Sequence, residues 1–295
     1  MGAAGPEAAG IEAMPEPQDV LVGLIGHGIA ASRTPGMHMA EGATLGMSYE
    51  YRLIDLPPDL GEEALSQLLG NLEHSGFCGI NVTVPYKRAI LSHLDSLSVE
   101  AQAVGAVNTV LFTPHGRVGH NTDYWGFAES LRRGLPGAAR DCVLLLGAGG
   151  AGHAVAHALL DAGVGRLLIR DVNGHLAEAL ADELNARAGA KRAEVARNPA
   201  SAAAAADGIV NTSPVGMLKM PGMPIEGRLI ESRHWVADIV YFPLETELLA
   251  TARDKGCAVL PGSGMALFQA VKAFELFTGI APDAERMKKT FDSFG

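Results

Sequence analysis

The residues with the clearest chemical meaning form the glycine-rich segment 147–152, of sequence GAGGAG. The segment follows the apolar run 143–146 and opens a helix-like stretch. Glycines at this spacing allow a tight turn, a close approach of backbone to a pyrophosphate, and close packing of helix on strand. The amides and the dipole of the helix N-terminus favour the phosphate charge. We therefore predict a dinucleotide site formed by Gly147, Ala148, Gly149, Gly150, Ala151 and Gly152.

Asp171 lies about 20 residues beyond this segment and closes the next predicted strand, at 166–171. An acidic residue at this place accepts hydrogen bonds from the ribose hydroxyls of NAD and repels the 2′-phosphate of NADP. We therefore expect NAD as the cofactor. Arg170 favours the opposite choice, because a guanidinium can neutralise a phosphate. NADP remains the alternative.

Lys87 and Asp123 are the residues that could carry the chemistry of a dehydrogenase. Lys87 ends the segment NVTVPYK at 81–87, after a predicted strand, and Asp123 ends GHNTD at 119–123, where we expect two domains to meet. A lysine oriented by a carboxylate can take the proton that an alcohol loses as its hydride leaves. Taken singly, the lysine could be a solvated helix residue and the aspartate a helix N-cap. The hypothesis therefore depends on the pair.

Four further polar residues could bind a polar substrate. Ser32 and Thr34 follow the first predicted strand and could donate hydrogen bonds to a carboxylate, or cap the helix ahead of Pro35. Asn108 begins a predicted strand and suits a substrate hydroxyl, although an asparagine there could equally stabilise a turn. Gln269 would face the first domain only if the last helix folds back onto that domain.

The apolar segments predict two α/β units that would position these residues. The first unit has strands at 20–25, 49–56, 77–84, 106–112 and 117–120, and helices at about 33–45, 61–74 and 86–93. The second has strands at 142–146, 166–171 and near 208–212, 235–239 and 257–260, with helices to about 133 and at 150–163 and 173–188. The Ala run 202–206 is interpreted as a crossover helix. We predict an N-terminal mixed sheet that binds substrate, and a doubly wound (Rossmann) dinucleotide-binding domain.

A last amphipathic helix at about 265–277 follows the final strand, and we expect it to fold back onto the first unit. The substrate and catalytic domain would then be discontinuous, 18–122 plus 262–295, with the NAD-binding domain 123–261 inserted. Residues 1–17 are rich in Ala, Gly, Pro and Glu and lack the pattern of a signal peptide. We expect a disordered tail there and a cytoplasmic protein.

The composition disfavours several classes of partner. No apolar run in the 295 residues reaches the ~20 that span a bilayer. The net charge of −10 disfavours nucleic acid, because an acidic surface repels phosphates. No cluster has zinc-ligand spacing, and the nearest histidine pair, His153 and His157, is expected on a helix surface. We therefore expect a small-molecule substrate, no metal, no membrane contact, and a monomer or homodimer.

Taken together, these segments resemble the shikimate dehydrogenase family over residues 20–290. Those that carry the resemblance stand in the family's order: GINVTVPYK (79–87), GAVNT (105–109), NTD (121–123), 147–152, DIVY (238–241) and GSGMALFQ (262–269). The resemblance implies that Lys87 and Asp123 are the catalytic pair. The substrate residues that it implies are Ser32, Thr34, Thr83, Asn108, Tyr241 and Gln269. It further implies that Gly262 and Met265 border the nicotinamide.

Two departures from the NADP-using, shikimate-specific pattern place the resemblance nearer the NAD-dependent quinate/shikimate dehydrogenase branch. Thr34 replaces the second serine of a Ser-x-Ser motif, and Asp171 stands where an Asn-Arg-Thr phosphate clamp is typical. The implied reaction is reversible oxidation of the C3 hydroxyl of quinate or shikimate to the 3-dehydro acid, which suits catabolism. The alternatives are an NADP-dependent biosynthetic shikimate dehydrogenase, an aminoshikimate-type dehydrogenase and, in another class, a nucleotide-sensing module without turnover. The Lys/Asp pair disfavours the last.

Overall fold

The computed structural model describes residues 19–294, and its strands form two six-stranded sheets. The strands of the first sheet are β1 (Asp19–Gly26), β2 (Ser48–Asp55), β3 (Gly79–Val82), β4 (Ser96–Leu97), β5 (Thr109–Thr113) and β6 (Gly116–His120). β1 pairs in parallel with β2 and β3, whereas β5 is antiparallel to β3 and β6. The sheet order is β2-β1-β3-β5-β6-β4, so the predicted mixed sheet is confirmed.

The connections of the first sheet are mostly helical. They are α1 (Thr34–Thr44), α2 (Glu62–His74), α3 (Tyr86–Ala89) with a following 3-10 turn (Ile90–His93), and α4 (Val99–Val104). α2 shows why the apolar pattern predicted the first three of these helices: Leu65, Leu69 and Leu72 recur at helical spacing, and all three are buried.

The second sheet is parallel throughout. Its strands are β7 (Cys142–Leu146), β8 (Arg166–Arg170), β9 (Ala193–Val195), β10 (Gly208–Asn211), β11 (Trp235–Asp238) and β12 (Ala258–Leu260). Its helices are α5 (Thr122–Gly134), which precedes it, α6 (Gly150–Asp161), α7 (Gly174–Ala188), α8 (Pro199–Ala205) and α9 (Glu247–Asp254). The order β12-β11-β10-β7-β8-β9 reverses between β7 and β10, which is the doubly wound arrangement.

The last two helices are α10 (Gly262–Thr278) and α11 (Ala284–Asp292). α10 packs along α5, and both terminal helices contact α1. Phe274 of α10 and Phe291 of α11 lie in one buried cluster with Val20 and Val22 of β1. The chain therefore returns to the first sheet after completing the second.

Sequence patterns did not predict β4, α4, β9, α9 or α11. These elements are short, and α11 buries only Met287 and Phe291 among mostly polar residues, so its apolar signal is small. The Ala run is confirmed as a crossover helix, α8. The predicted disordered tail, 1–17, lies outside the described residues. Between residues 19 and 294 no helix is long and apolar enough to cross a membrane.

The expected surface position of His153 and His157 is wrong, because both are buried. Helix α6 packs against its own sheet, α5 and α7, so little of its surface meets solvent. Polar neighbours satisfy both rings: the Nε2 of His157 lies 2.9 Å from the Oε1 of Glu183. The Nδ1 of His153 lies 3.0 Å from the carbonyl oxygen of Gly149. In this doubly wound fold, the Ala-rich helix α6 thus buries positions that sequence spacing alone would predict at the surface.

Glu41 of α1 binds the start of α11 through hydrogen bonds. Its carboxylate is buried and accepts hydrogen bonds from the amide of Asp283 at 2.8 Å and from Nε and Nη2 of Arg286 at 2.9 and 2.6 Å.

We expect Glu41→Ala to lower the free energy of unfolding by about 2 kcal/mol, because the Asp283 amide loses its acceptor. Urea denaturation would measure this, with exposed Glu62→Ala as control. Equal midpoints for both variants would contradict it.

Candidate active site

A cavity of about 510 Å³ opens where the carboxyl ends of strands from both sheets face each other. The first sheet and its loops contribute Leu24, His27, Gly28, Ile29, Ala31, Ser32, Thr34, Asn81, Val82, Thr83, Val84, Lys87 and Asn108. The loops of the second sheet and helices α5, α6 and α10 contribute Asp123, Ala151, Met217, Ile239, Tyr241, Phe242, Met265, Ala266 and Gln269. The residues predicted for substrate and catalysis therefore line one space.

Lys87 and Asp123 form an ion pair in this cavity. The Nζ of Lys87 lies 2.5 Å from the Oδ2 of Asp123, and their side chains are 22% and 14% exposed. Lys87 is the second residue of α3, which begins after β3 ends. Asp123 is the second residue of α5. Both groups are thus held at helix starts and can exchange a proton with a bound hydroxyl.

Asp123 does not cap α5, because that role belongs to Asn121. The side-chain oxygen of Asn121 accepts a hydrogen bond from the amide of Tyr124 at 3.0 Å. Its Nδ2 donates to the carbonyl oxygen of Ala106 at 2.9 Å. The Asp123 carboxylate is therefore available to Lys87. This arrangement favours the catalytic hypothesis over the capping alternative.

Asn108 stands in a buried polar network under the cavity. Its Oδ1 accepts from the amide of Thr122 at 2.7 Å, and its Nδ2 donates to the Thr122 hydroxyl at 2.9 Å. The neighbouring Thr109 hydroxyl accepts from Asn81 at 2.9 Å, and Asn81 accepts from the Tyr51 hydroxyl at 2.7 Å. The network fixes the orientation of the Asn108 amide where β5 begins. Sequence reasoning had assigned no role to Asn81.

Ser32 and Thr34 lie on the cavity wall at the start of α1. The N-cap position of α1 is Arg33, and within residues 19–294 no side chain caps this helix. The capping alternative for Ser32 and Thr34 is therefore not observed. Thr83, just after β3, lines the same wall, and its amide donates to the carbonyl oxygen of Ile25 at 2.9 Å.

Tyr241 enters the cavity from the turn that follows β11. Buried Asp238 shapes this turn, because its carboxylate accepts from the amide of Val240 at 3.0 Å and from the hydroxyl of Thr246 at 2.7 Å. Burial raises the pKa of Asp238 to about 6, although its hydrogen bonds oppose that shift. Desolvation and the nearby Asp123 charge raise the pKa of Tyr241, so its phenol stays protonated and can donate a hydrogen bond.

Helix α10 closes the cavity with Met265 and Gln269. The Nε2 of Gln269 donates to the carbonyl oxygen of Ala266 at 3.0 Å. Gly262 is absent from the cavity wall among the described residues, and it permits a close approach instead. A Cβ on Gly262 would lie 2.5 Å from the carbonyl oxygen of Ile239. Gly262 therefore lets the start of α10 pack on the end of β11.

The glycine-rich segment forms the turn between β7 and α6. Gly147 has φ +108°, a conformation that L side chains rarely adopt. A Cβ on Gly152 would lie 2.4 Å from the carbonyl oxygen of Gly147, so α6 packs directly on the turn. Among the described residues nothing lies within 4 Å of a Cβ built on Gly149 or Gly150. The turn therefore leaves open space at the N-terminus of α6, which fits a pyrophosphate.

Asp171 lies beside this turn, after β8. Its Oδ2 accepts from the amide of Ala148 at 2.7 Å, and its Oδ1 accepts from the amide of Asn173 at 2.8 Å. The guanidinium of Arg170 donates to the carbonyl oxygen of Arg197 at 3.2 Å, in the loop after β9. The carboxylate is thus fixed next to the glycine-rich turn, while the guanidinium is engaged by a neighbouring loop.

Sequence reasoning missed Arg33, Met217 and Phe242. Met217 and Phe242 line the cavity, and Arg33 lies behind the wall that Ser32 and Thr34 form. Met217 and Phe242 sit in loops between predicted elements, where apolar periodicity carries no information, and Arg33 stands at the start of the predicted helix 33–45, where periodicity does not single it out. The apolar loop segment VGML (215–218) after β10 was the available signal, because loops at the carboxyl ends of strands bind ligands.

Comparison with known proteins agrees with this geometry. Residues 24–110 match the model of the shikimate dehydrogenase substrate binding domain, and residues 262–290 match that of the shikimate 5′-dehydrogenase C-terminal domain. A quinate/shikimate dehydrogenase (NAD(+)) of Corynebacterium efficiens is 48% identical over 276 residues, which are 92% of this chain and 97% of the relative. A shikimate dehydrogenase (NADP(+)) of Streptomyces avermitilis is 50% identical over 270 residues, 90% of this chain and 93% of the relative.

A solved structure is similar over almost the whole chain. Quinate dehydrogenase from Corynebacterium glutamicum in complex with NAD superposes with a TM-score of 0.88 at 46% identity. The match covers 94% of this chain and 100% of the solved one. The fold of this chain therefore has a counterpart of known structure.

Proposed function

The chain belongs to the shikimate dehydrogenase family, and from this membership we propose that it reversibly oxidises the C3 hydroxyl of quinate or shikimate to the 3-dehydro acid, with NAD as cofactor. The chain is an oxidoreductase that acts on a hydroxyl group. One observation carries the proposal: the Lys87–Asp123 pair and Ala151 of the glycine-rich turn line the same cavity. The proton acceptor and the dinucleotide site that we propose thus share one cavity.

The proposed proton transfer uses Lys87 and Asp123 directly. During oxidation the neutral amine of Lys87 takes the proton of the C3 hydroxyl at Nζ and becomes an ammonium, and during reduction the ammonium returns that proton. Asp123, 2.5 Å away, orients the amine and stabilises the ammonium that forms. The two side chains are mostly shielded from water, which limits competing proton exchange with solvent.

The remaining wall residues suit a polyhydroxylated ring acid. We propose that the hydroxyls of Ser32 and Thr34 bind the carboxylate. Asn108 would bind a ring hydroxyl, since its amide is already oriented by Thr122. The further substrate contacts that we propose are Thr83, Tyr241 and Gln269. All six residues line the cavity around Lys87, which brings the reacting hydroxyl to the lysine.

The turn between β7 and α6 fits NAD. We propose that residues 147–152 and the N-terminus of α6 hold the pyrophosphate and that Asp171 holds the adenosine ribose. Met265 on the cavity wall would border the nicotinamide, and Gly262 would act by letting α10 approach. When bound, NAD supplies the hydride acceptor.

Two glycine substitutions separate cofactor binding from folding. We expect Gly149→Ala to leave the Tm unchanged, because the added Cβ meets open space, and to raise the Kd for NAD by about 10-fold or more. Gly152→Ala should lower both affinity and Tm, since its Cβ would collide with Gly147. Thermal melts and calorimetric titration measure both quantities. An unchanged NAD affinity in Gly149→Ala would contradict a pyrophosphate at this turn.

NADP is the second candidate cofactor. It is supported by the relative from Streptomyces avermitilis, whose name gives NADP, and by Arg170 beside Asp171. The fixed carboxylate of Asp171 next to the glycine-rich turn supports NAD. The choice between quinate, shikimate and an amino analogue depends on small differences in the pocket, where one methyl group is worth about 1 to 3 kcal/mol.

Initial rates test the proposal. Quinate and shikimate are each offered with NAD and with NADP at one moderately alkaline pH, and reduced cofactor is followed. Activity with NAD on both acids is the expected result. Activity only with NADP and shikimate would assign the enzyme to biosynthesis, and cofactor binding without turnover on any ring acid would support the sensing module.

We propose the domain division 18–122 plus 262–295 and 123–261. It is supported by the separate sheets and by the packing of α10 and α11 on α1. The monomeric or homodimeric state and the cytoplasmic location remain predictions. Size-exclusion chromatography with light scattering measures the first of these.

A further inference from the structure

Arg33 is a buried cation surrounded by three phenyl rings. Only 9% of the residue is exposed, and its guanidinium carbon lies 4.3 Å from the ring centroid of Phe242, 4.9 Å from that of Phe291 and 5.9 Å from that of Phe294. Its Nη1 also donates to the carbonyl oxygen of Phe291 at 3.1 Å. We call these four residues the Arg33 cage.

The cage joins three parts of the chain that are distant in sequence. Arg33 lies between Ser32 and Thr34, which line the cavity. Phe242 follows Tyr241 in the turn after β11, and both also line the cavity. Phe291 lies in the last turn of α11, and its ring is 6.3 Å from that of Tyr241. The guanidinium therefore touches elements of both sheets at the edge of the cavity.

Phe294, the C-terminal residue of the cage, packs on α1. A Cβ on Gly36 would lie 2.3 Å from the ring of Phe294, so this ring lies directly on the helix backbone. The Nη2 of Arg33 lies 3.5 Å from the carbonyl oxygen of Phe294. The turn after α11 thus packs on α1, two residues from Thr34.

A guanidinium suits this position better than an ammonium. Its planar face can stack on a ring while the N–H groups at its edge donate to carbonyl oxygens. The planarity of the group fixes the directions of these donors. Desolvation strengthens attraction between the cation and the ring faces. Because Ser32 and Thr34 share the backbone of Arg33, holding the guanidinium also holds the two hydroxyl-bearing residues relative to Tyr241.

We propose that Arg33 is a positioning residue for the ring acid: stacked on Phe242, it sets the separation across the cavity between the Ser32–Thr34 wall and Tyr241. The role rests on the proposed function, since it names that substrate. Arg33 acts through its neighbours and not by contact with the reacting atoms. It therefore influences how tightly the acid is held more than how fast the proton moves.

The test compares Arg33→Lys, Phe242→Leu and the double variant, with the KM for the acid measured at saturating NAD and the KM for NAD measured at saturating acid. Each single change is expected to raise the KM for quinate or shikimate by about 10-fold, with kcat changed less than about 3-fold and the KM for NAD unchanged. The double variant should again show about a 10-fold increase and not about 100-fold, because both changes break one contact. Phe242→Tyr keeps an aromatic face and should restore the KM.

Arg133→Lys is the matched control. The Arg133 guanidinium stacks on Phe268 at 4.8 Å, and Arg133 does not line the active-site cavity as the structure describes it between residues 19 and 294. Its KM should equal that of the unaltered enzyme. Thermal melts of all variants separate a change in stability from a change in KM.

The failures are distinguishable. An unaltered enzyme inactive toward both acids with either cofactor would overturn the proposed function, and the positioning role with it. An active enzyme in which Arg33→Lys or Phe242→Leu leaves the KM unchanged would overturn the positioning role alone. Multiplicative effects in the double variant would show that the two residues act separately, which also contradicts the proposal.

Discussion

Replacing Lys87 with alanine is expected to lower kcat for quinate or shikimate oxidation by about 100- to 10,000-fold, the contribution of a positioned proton acceptor. The variant loses the only amine in contact with Asp123 among the described residues. The KM for NAD should stay within about 3-fold, because Lys87 belongs to α3 and not to the glycine-rich turn that we propose holds the pyrophosphate. Steady-state rates with each substrate varied in turn measure both quantities.

A second lysine provides the control for this variant. Lys272 of α10 also pairs with a carboxylate, Glu275, at 2.9 Å, and its side chain is 30% exposed, close to the exposure of Lys87. Among the described residues it is not part of the cavity wall. Lys272→Ala should keep kcat near that of the unaltered enzyme. If Lys87→Ala turned over as fast as Lys272→Ala, proton transfer by Lys87 would be ruled out.

Asp171→Asn is expected to shift the ratio of kcat/KM for NAD to that for NADP by about 100-fold toward NADP. A carboxylate beside a phosphate costs several kcal/mol, and about 1.4 kcal/mol corresponds to tenfold. Asparagine removes the charge but keeps an oxygen that can accept from Ala148 or Asn173, as Asp171 does now. The glycine-rich turn should therefore keep its shape, and the change in preference would report on charge.

Asp182→Asn is the control for this variant. It makes the same change in net charge at an exposed position on α7, the helix that follows Asp171. Its ratio of kcat/KM for NAD to that for NADP should stay unchanged. If the ratio were also unchanged in Asp171→Asn, Asp171 would not select between NAD and NADP, and the NADP-dependent alternative would be strengthened. Initial rates with both cofactors, at fixed substrate and pH, decide between these outcomes.

Residue pattern alone predicted the longer elements because their burial is periodic. The spacing of Leu65, Leu69 and Leu72 indicated α2, and the continuous apolar run 142–146 indicated a strand buried on both faces. The glycines at 147 and 152 indicated the turn because their backbone geometry excludes a side chain. Such features are local, so they can be read without knowledge of distant contacts.

The environment of single side chains needed the tertiary structure. His153 and His157 were expected at a surface and are buried, because α5 and α7 pack on α6. Asp123 had two interpretations until Asn121 was found to cap α5. Short elements such as β9 and α11 become stable through neighbours that sequence spacing does not reveal.

The sequence by itself determined the α/β class, the dinucleotide turn, the residue types for proton transfer and the family resemblance, since each depends on local pattern or on motifs in order. Only the tertiary structure decided which of these residues meet. Lys87 and Asp123 are 36 residues apart in the chain and 2.5 Å apart in space. Arg33 shares a cage with Phe242 and Phe291 for the same reason: the packing of two sheets and a returning C-terminal segment, not sequence distance, sets which side chains touch.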